Sequence, residues 1–204
     1  NLGNTLAFAT GAAERMRINS SGEVLVNVTS NQTESPLTSR NNGSSIEFGH
    51  LNTTSGYYGT VGSMYNNGTP FISFSCDSSI TSAGNNFATR GFKGNVIHGD
   101  TGGNLIFSQA TNANSASQAL TERMRVTSDG NVGIGNTNPG SYSADANNLV
   151  VGSLSGNNGI TILSESTSGY GSIYFADAAT GNKVYSGFIR YQQNISDMTF
   201  GTNE

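Results

Sequence analysis

The run Glu14-Arg15-Met16-Arg17-Ile18-Asn19-Ser20-Ser21-Gly22 comes back 108 residues later as Glu122-Arg123-Met124-Arg125-Val126-Thr127-Ser128-Asp129-Gly130. That spacing is too long for a solenoid repeat and suits a module. The sequence upstream repeats as well, with Leu6-Ala7-Phe8 before the first copy and Leu105-Ile106-Phe107 before the second. A further pair is Gly43 to Gly49 (GSSIEFG) and Gly171 to Asp177 (GSIYFAD), and Met198 to Glu204 looks like the approach to another signature. The repeats divide the chain into three parts. Residues 1–36 are the C-terminal part of one repeat unit, 37–139 a complete unit, and 140–204 the N-terminal part of the next, as in a piece of a longer repetitive protein.

Helical periodicity is almost absent. The best candidate, Ala113 to Met124, is rich in Asn and Ser at its start and reads as loop with at most one helical turn. Elsewhere the pattern is short and alternating: Ile46 and Phe48 with Ser45 and Glu47, Ile160 and Ile162 with Thr161, Ile173 and Phe175 with Ser172 and Tyr174. Turn pairs such as Asn42-Gly43, Asn67-Gly68, Gly102-Gly103 and Asn158-Gly159 separate these runs. The fold class expected is all-β, built from short β-hairpin, β-sandwich-like or β-prism modules.

The repeated motif reads as a hairpin. In a regular strand Glu122, Met124 and Val126 share one face, and Arg123, Arg125 and Thr127 the other. Gly130 suits the left-handed position that closes a bulged hairpin turn. In the return strand, Val132 and Ile134 share one face and only glycine the other; Gly135 reads as a strand glycine whose replacement acts through crowding. A glycine face invites close backbone approach, as at the axis of a fibre. The first copy departs from this, with Glu23-Val24-Leu25-Val26 in place of Asn131-Val132-Gly133-Ile134-Gly135. Glu14, Arg15, Met16, Arg17 and Gly22, with Glu122, Arg123, Met124, Arg125 and Gly130, are therefore structural hairpin and packing residues. Two readings compete for the arginines: a fork for oxyanions, since guanidinium matches them bidentately, or ion pairs with Glu14 and Glu122 or carbonyl contacts to a neighbouring strand. The second is preferred, because a ligand site seldom recurs in every unit.

Energetics then bear on assembly. Gly, Asn, Ser and Thr make up 102 of the 204 residues, while Leu, Ile, Val and Phe number 42. So few large apolar side chains hardly offset the conformational entropy of one isolated chain. Net charge is only −4, so the composition is not that of a self-repelling disordered chain. The expectation is a core shared between copies, with Met16, Ile18, Met124, Val126, Val132 and Ile134 buried together.

Other function classes fall away in turn. Nine Lys and Arg against thirteen Asp and Glu argue against nucleic acid, and no apolar run reaches the length of a membrane span, so no membrane insertion is expected. Cys76 is the only cysteine and reads as a small buried side chain. His50 and His98 each stand alone, so no metal is expected, and Gly133-Ile134-Gly135 lacks the third glycine and helix of a dinucleotide site, so no cofactor is expected either. No nucleophile–base constellation stands out, and nothing shows that Glu165 meets Asp177 as a glycosidase pair would. No enzymatic activity is expected. A receptor or glycan contact would come from aromatic and amide residues: Tyr57, Tyr58, Tyr65, Asn66 and Asn67, with the stretch Phe87 to Phe92.

The segment Glu122 to Pro139 (ERMRVTSDGNVGIGNTNP) resembles the repeated segment of bacteriophage tail fibres and related long phage structural proteins, and Ser172 to Glu204 is similar to what precedes that signature in them. The resemblance covers both signatures and the final third, and residues 50–100 poorly. It implies an elongated, β-rich homotrimeric fibre on the virion tail, outside the cell. The partners implied are the chain itself, other virion tail proteins, and host cell-surface polysaccharide or protein. A cell-surface adhesin or extracellular filament subunit is the alternative reading, and a polysaccharide-degrading spike a third.

Overall fold

The computed structural model describes residues 5–11, 13–20, 24–26, 37–39, 43–51, 56–64, 66–79 and 84–202. The described residues are all-β, with two short 3-10 turns at Pro139–Ser141 and Gly181–Tyr185 and no α-helix among them. They form two compact units, Asn1–Gly156 and Asn157–Glu204.

In the first unit, β1 (Leu6–Thr10), β2 (Ala13–Ile18), β3 (Val24–Val26) and β4 (Leu37–Ser39) make a four-stranded sheet in chain order. Next come β5 (Gly43–Leu51), β6 (Gly56–Ser63), β7 (Pro70–Phe74), β8 (Cys76–Ser78), β9 (Phe87–Arg90), β10 (Gly94–Gly99) and β11 (Leu105–Ala110). Then follow β12 (Asn114–Gln118), β13 (Thr121–Val126), β14 (Val132–Ile134) and β15 (Leu149–Val151). An eight-stranded sheet runs β15-β14-β13-β11-β10-β7-β6-β5, and β12-β9-β8 form a three-stranded sheet. The smaller sheet packs on one face of the larger, β8 against β5, β6, β7 and β10, and β9 against β11.

The core lies between these layers. Met64, Phe71, Cys76, Phe87, Val96 and Ala110 are buried there, with Leu120 packed against them, and the Phe71 and Phe87 rings meet edge to face at 4.9 Å. Much of the remaining interior is polar and internally bonded. Ser73 Oγ donates to the Cys76 carbonyl, Thr60 and Ser73 hydroxyls meet at 2.6 Å, and Gln118 Nε2 donates to Thr89 Oγ1 at 3.0 Å. Ser75 takes the chain from one layer to the other in the left-handed region, φ 57°, with its N–H on the Tyr58 carbonyl at 2.7 Å. The stretch Ala113 to Met124 is not a loop with a helical turn. Its first half pairs with β9 as β12, where Gln118 spends its amide on Thr89 of β9 and on the Asn112 backbone, and its second half is β13.

Among the described residues no second layer covers the other face of the eight-stranded sheet. Ile46, Val61, Ile72, Ile97, Phe107, Met124, Ile134 and Val151 are register partners in succession, so they form one apolar row across all eight strands. Leu105, Val126, Val132 and Leu149 form a second row beside it. Ile46, Val61, Ile72 and Ile134 are exposed, Ile97, Phe107, Met124 and Val151 are half-buried, and none of the eight is buried.

Both signature copies have the same pairings. Phe8 faces Met16 and Met16 faces Val26; Phe107 faces Met124 and Met124 faces Ile134. Each return strand then pairs with a short parallel strand, β4 or β15. These parallel strands carry each sheet past Pro36 and Pro139, the points at which the repeat boundaries were expected.

The strict alternation expected of the motif fails in both copies for one reason. The register shifts between Phe8 and Ala9 and between Phe107 and Ser108, so Arg15 and Arg123 are each the extra residue of a bulge. The bulge turns Glu14 onto the face of Arg17, and Glu122 onto the face of Arg125.

The turn Thr127–Gly130 closes with the Gly130 N–H on the Thr127 carbonyl at 2.9 Å, and Gly130 has φ 86°. Gly135 is no ordinary strand glycine: its φ is 67° and a Cβ there would meet only ordinary contacts with Gly152, so replacement acts through backbone conformation and not through crowding. Nor does the glycine of the return strand face a fibre axis. A Cβ on Gly133 would run into the Asn136 carbonyl of its own chain, because the loop to Pro139 folds back over it, and Leu25 fills the equivalent place in the first copy.

The second unit contains β16 (Tyr170–Phe175), β17 (Gly187–Gln192) and β18 (Asp197–Thr202), an antiparallel sheet in that order. Ile173, Ile189 and Phe200 stand in one row across it. Gly130→Val should lower stability by about 1–3 kcal/mol per chain, because a β-branched residue is forced to positive φ with open space around it. Thermal unfolding of the variant measures this, and an unchanged transition would refute the turn's conformation.

Candidate functional site

The signature arginines are committed within the chain. Arg125 donates Nε and Nη2 to the two Glu122 oxygens, each at 2.7 Å, and both side chains are largely buried. Arg17 makes the same fork on Glu14. The hydrogen bonds from Arg17 hold the Glu14 carboxyl below its ordinary pKa, and those to Glu122 hold Arg125 above its own. The bulge arginines do a different job: Arg123 Nε donates to Gln109 Oε1 at 2.9 Å and Arg15 Nε to Thr10 Oγ1 at 2.8 Å. A bidentate guanidinium already closed on a carboxylate is not a free anion receptor. Met16 and Met124 stand on the opposite, outer side, in register with Phe8 and Phe107.

The aromatic and amide candidates separate. Tyr57 is 72% exposed and stacks on Phe92 at 4.5 Å between centroids. Tyr58 is only 4% exposed, which removes it from the surface contacts. Alternation along β6 decides this: Tyr58 and Thr60 point under the smaller sheet while Tyr57 points out. Asn66 and Asn67 are exposed in the turn after β6. Tyr65 and Gly22 lie outside the described residues. Within the stretch Phe87 to Phe92, Phe87 belongs to the core and Phe92 to the Tyr57 stack.

The structure also brings together residues that the sequence reading kept apart. A cleft of about 340 Å³ opens between the turn after β6 and the strands β10, β11 and β13, lined by Met64, Asn67, Thr69, Asn85, His98, Gly99, Asp100, Ile106, Ser108, Leu120 and Glu122. His98 faces Ile106 across the β10–β11 ladder, and Ser108 faces Glu122 across β11–β13. His98 Nδ1 lies 2.8 Å from the Gly99 carbonyl, which can only accept, so Nδ1 carries the proton and Nε2 takes the Ser108 hydroxyl at 3.1 Å. Asp100 is held by its own turn, accepting from Gly102 N–H, Asn104 N–H and Asn104 Nδ2, which keeps its carboxyl below the ordinary range. No signal short of the pairing register links residues 67, 85, 98 and 122.

Other polar groups have local duties. Glu165 accepts the hydroxyls of Thr167 and Ser168, which lowers its pKa, and so serves its own turn. Burial pushes the Cys76 thiol up to about 12, an inert thiol. Among the described residues no three His, Cys, Asp or Glu side chains gather as a metal site would require. No helix among them is long and apolar enough to cross a membrane. No known family and no curated protein matches the chain.

Tyr58→Ala should cost about 3–5 kcal/mol as a buried aromatic truncation, and Tyr57→Ala only the Phe92 stacking, about 0.5–1.5 kcal/mol; urea unfolding of the two variants compares them. Asp77 supplies a pH test. Burial raises its carboxyl above the ordinary value despite the Arg90 guanidinium 3.5 Å away. A group so raised favours the fold below its unfolded pKa, and that advantage is lost as pH rises through the folded value. Asp77→Asn should therefore raise the melting temperature at pH 7 and lose that gain in acid. A lowered melting temperature at pH 7 would mean that the Arg90 attraction outweighs burial.

Proposed function

We propose that this chain is a structural segment of a homotrimeric phage tail fibre, forming shaft and presenting a surface for host glycans. The observation that carries the reading is the uncovered apolar row on the eight-stranded sheet. Eight apolar side chains in register, Ile46 to Val151, are what a sheet presents when its second layer is another chain. The four-stranded sheet has rows of the same kind, Phe8-Met16-Val26 and Leu6-Ile18-Val24, and Ile173-Ile189-Phe200 makes one in the second unit. Two hairpins with one register, one bulge and one Glu–Arg fork support repeat modules as the building plan, and the sequence resemblance supports the phage fibre. Closed threefold packing hides the rows of all three chains and covers sheet edges that would otherwise aggregate.

In this reading Met16, Ile18, Met124, Val126, Val132 and Ile134 belong to the interchain layer, while the Glu–Arg forks stiffen each hairpin from inside its own chain. Light scattering on the purified chain should give three times the mass of one chain, 21.2 kDa. Ile72→Asp, at the centre of the row, should dissociate it. A cooperatively folded monomer in dilute solution would overturn the reading.

A further inference from the structure

The cleft beside Glu122 is the site on this chain whose chemistry selects a ligand. We infer that it binds a single neutral hexopyranose residue, a terminal or branch sugar; the inference rests on the surface-glycan role proposed above and gives that role a place. Its volume lies at the low end for ligand sites, which suits one sugar ring and not a length of polymer.

The two sides of the cleft offer complementary hydrogen-bonding groups. Asn67 Oδ1 accepts the Thr69 N–H at 3.1 Å and Asn85 Oδ1 accepts the Asn66 N–H at 3.1 Å, so backbone contacts fix both carboxamides and leave Nδ2 as the group each offers a ligand. Across from them, the Glu122 oxygens are each used once by Arg125 and retain a second lone pair, and Ser108 Oγ keeps its lone pairs after donating to His98. Between them Leu120 supplies apolar surface for the C–H face of a ring, with Met64 and Ile106, both buried, lining the floor. Sugar hydroxyls donate and accept at once, and this wall answers both needs.

Charge sets the class. Arg125 neutralises Glu122, and Asp100, held by the donors of its own turn and within the field of the same guanidinium, adds a second carboxylate. The cleft is therefore net negative, which disfavours uronic and sialic acids and accepts neutral sugars. Placement fits as well. Ser108 and Glu122 point to the face of the sheet opposite the apolar row, so chains packing on that row leave the cleft open.

The test is isothermal titration of the purified chain with methyl glycosides of neutral hexoses and with methyl glucuronide, alongside hydrogen-exchange mapping of the bound form. A neutral glycoside should bind with millimolar Kd, protect β10, β11 and the turn at Asn66–Asn67, and lose about tenfold in affinity in Asn85→Ala. The glucuronide should bind at least about tenfold more weakly. Equal binding of the glucuronide, protection at Tyr57 and Phe92 instead, or no neutral glycoside bound would each overturn the assignment. The mapping on the wild-type chain decides even if Asn85→Ala loosens its loop. Oligomeric state keeps the two ideas separable: a trimer that binds no sugar ends this inference alone, and a monomer that binds at the cleft ends the fibre reading alone.

Discussion

Ile46, Val61, Ile72, Ile97, Phe107, Met124, Ile134 and Val151 stand in line across eight strands and none of them is buried, while the opposite face of the same sheet is roofed by a second layer. The chain has 42 Leu, Ile, Val and Phe residues to divide between these faces. Its interior is consequently small and mixed: beside Phe71, Phe87 and Val96 sit Thr60, Ser73, Thr89 and Gln118, each hydrogen-bonded inside. A hydroxyl or amide satisfied in this way costs little to bury, yet it contributes far less than a leucine would. The large side chains left over face outward, where burying a row of eight at about 25 cal/mol per Å² is among the largest stabilising terms still open to the molecule. Packing between chains is the way to use it.

The bulge at Arg15 and Arg123 makes that division of faces possible. In an unbroken strand, glutamate and the arginine three residues on would point to opposite sides, and one charge would land in the apolar row. One extra residue moves Glu14 and Glu122 to the inner face, where each meets its arginine, and leaves Met16 and Met124 outside among apolar neighbours. The Glu–Arg fork is thereby kept off the apolar row, the bulge arginines lie beside Gln109 and Thr10 at its margin, and the inner face gains a rigid cross-link within one hairpin. The same device in both copies explains why the motif recurs as a whole: changing the spacing of Glu, Met and Arg by one residue would send a charge into the row.

Much of this was legible in the sequence. Alternation gave the strands at Ile46-Phe48 and Ile173-Phe175, and Ser-Asp-Gly gave the turn at Gly130 with its positive φ. What was not legible depended on pairing. Period two cannot report a bulge, because the shift lies in the register with Phe107 and Ser108, many residues away. The parallel strands β4 and β15 are three residues each, too short for any periodicity. Tyr57 and Tyr58 are alike in sequence, and only the roof over one face of β6 makes one surface and the other interior. The cleft was hidden for the same reason: His98, Ser108 and Glu122 become neighbours through two ladders, and neither ladder is written in local sequence.

The place of the cleft follows from the same construction. The roof is only three strands wide and β12 joins it through the stretch between β11 and β13, a stretch with no counterpart between β1 and β2. Past the edge of that roof the residues standing on the inner face of the large sheet are the ones the hairpin motif requires on that side, Glu122 and its partner Arg125, with His98 and Ser108 in the adjoining strands. A polar hollow is thus the natural product of laying a short roof over a long sheet whose inner face carries the charges. The outer face closes the assembly, and the inner face, where the roof stops, is left to meet what lies outside it.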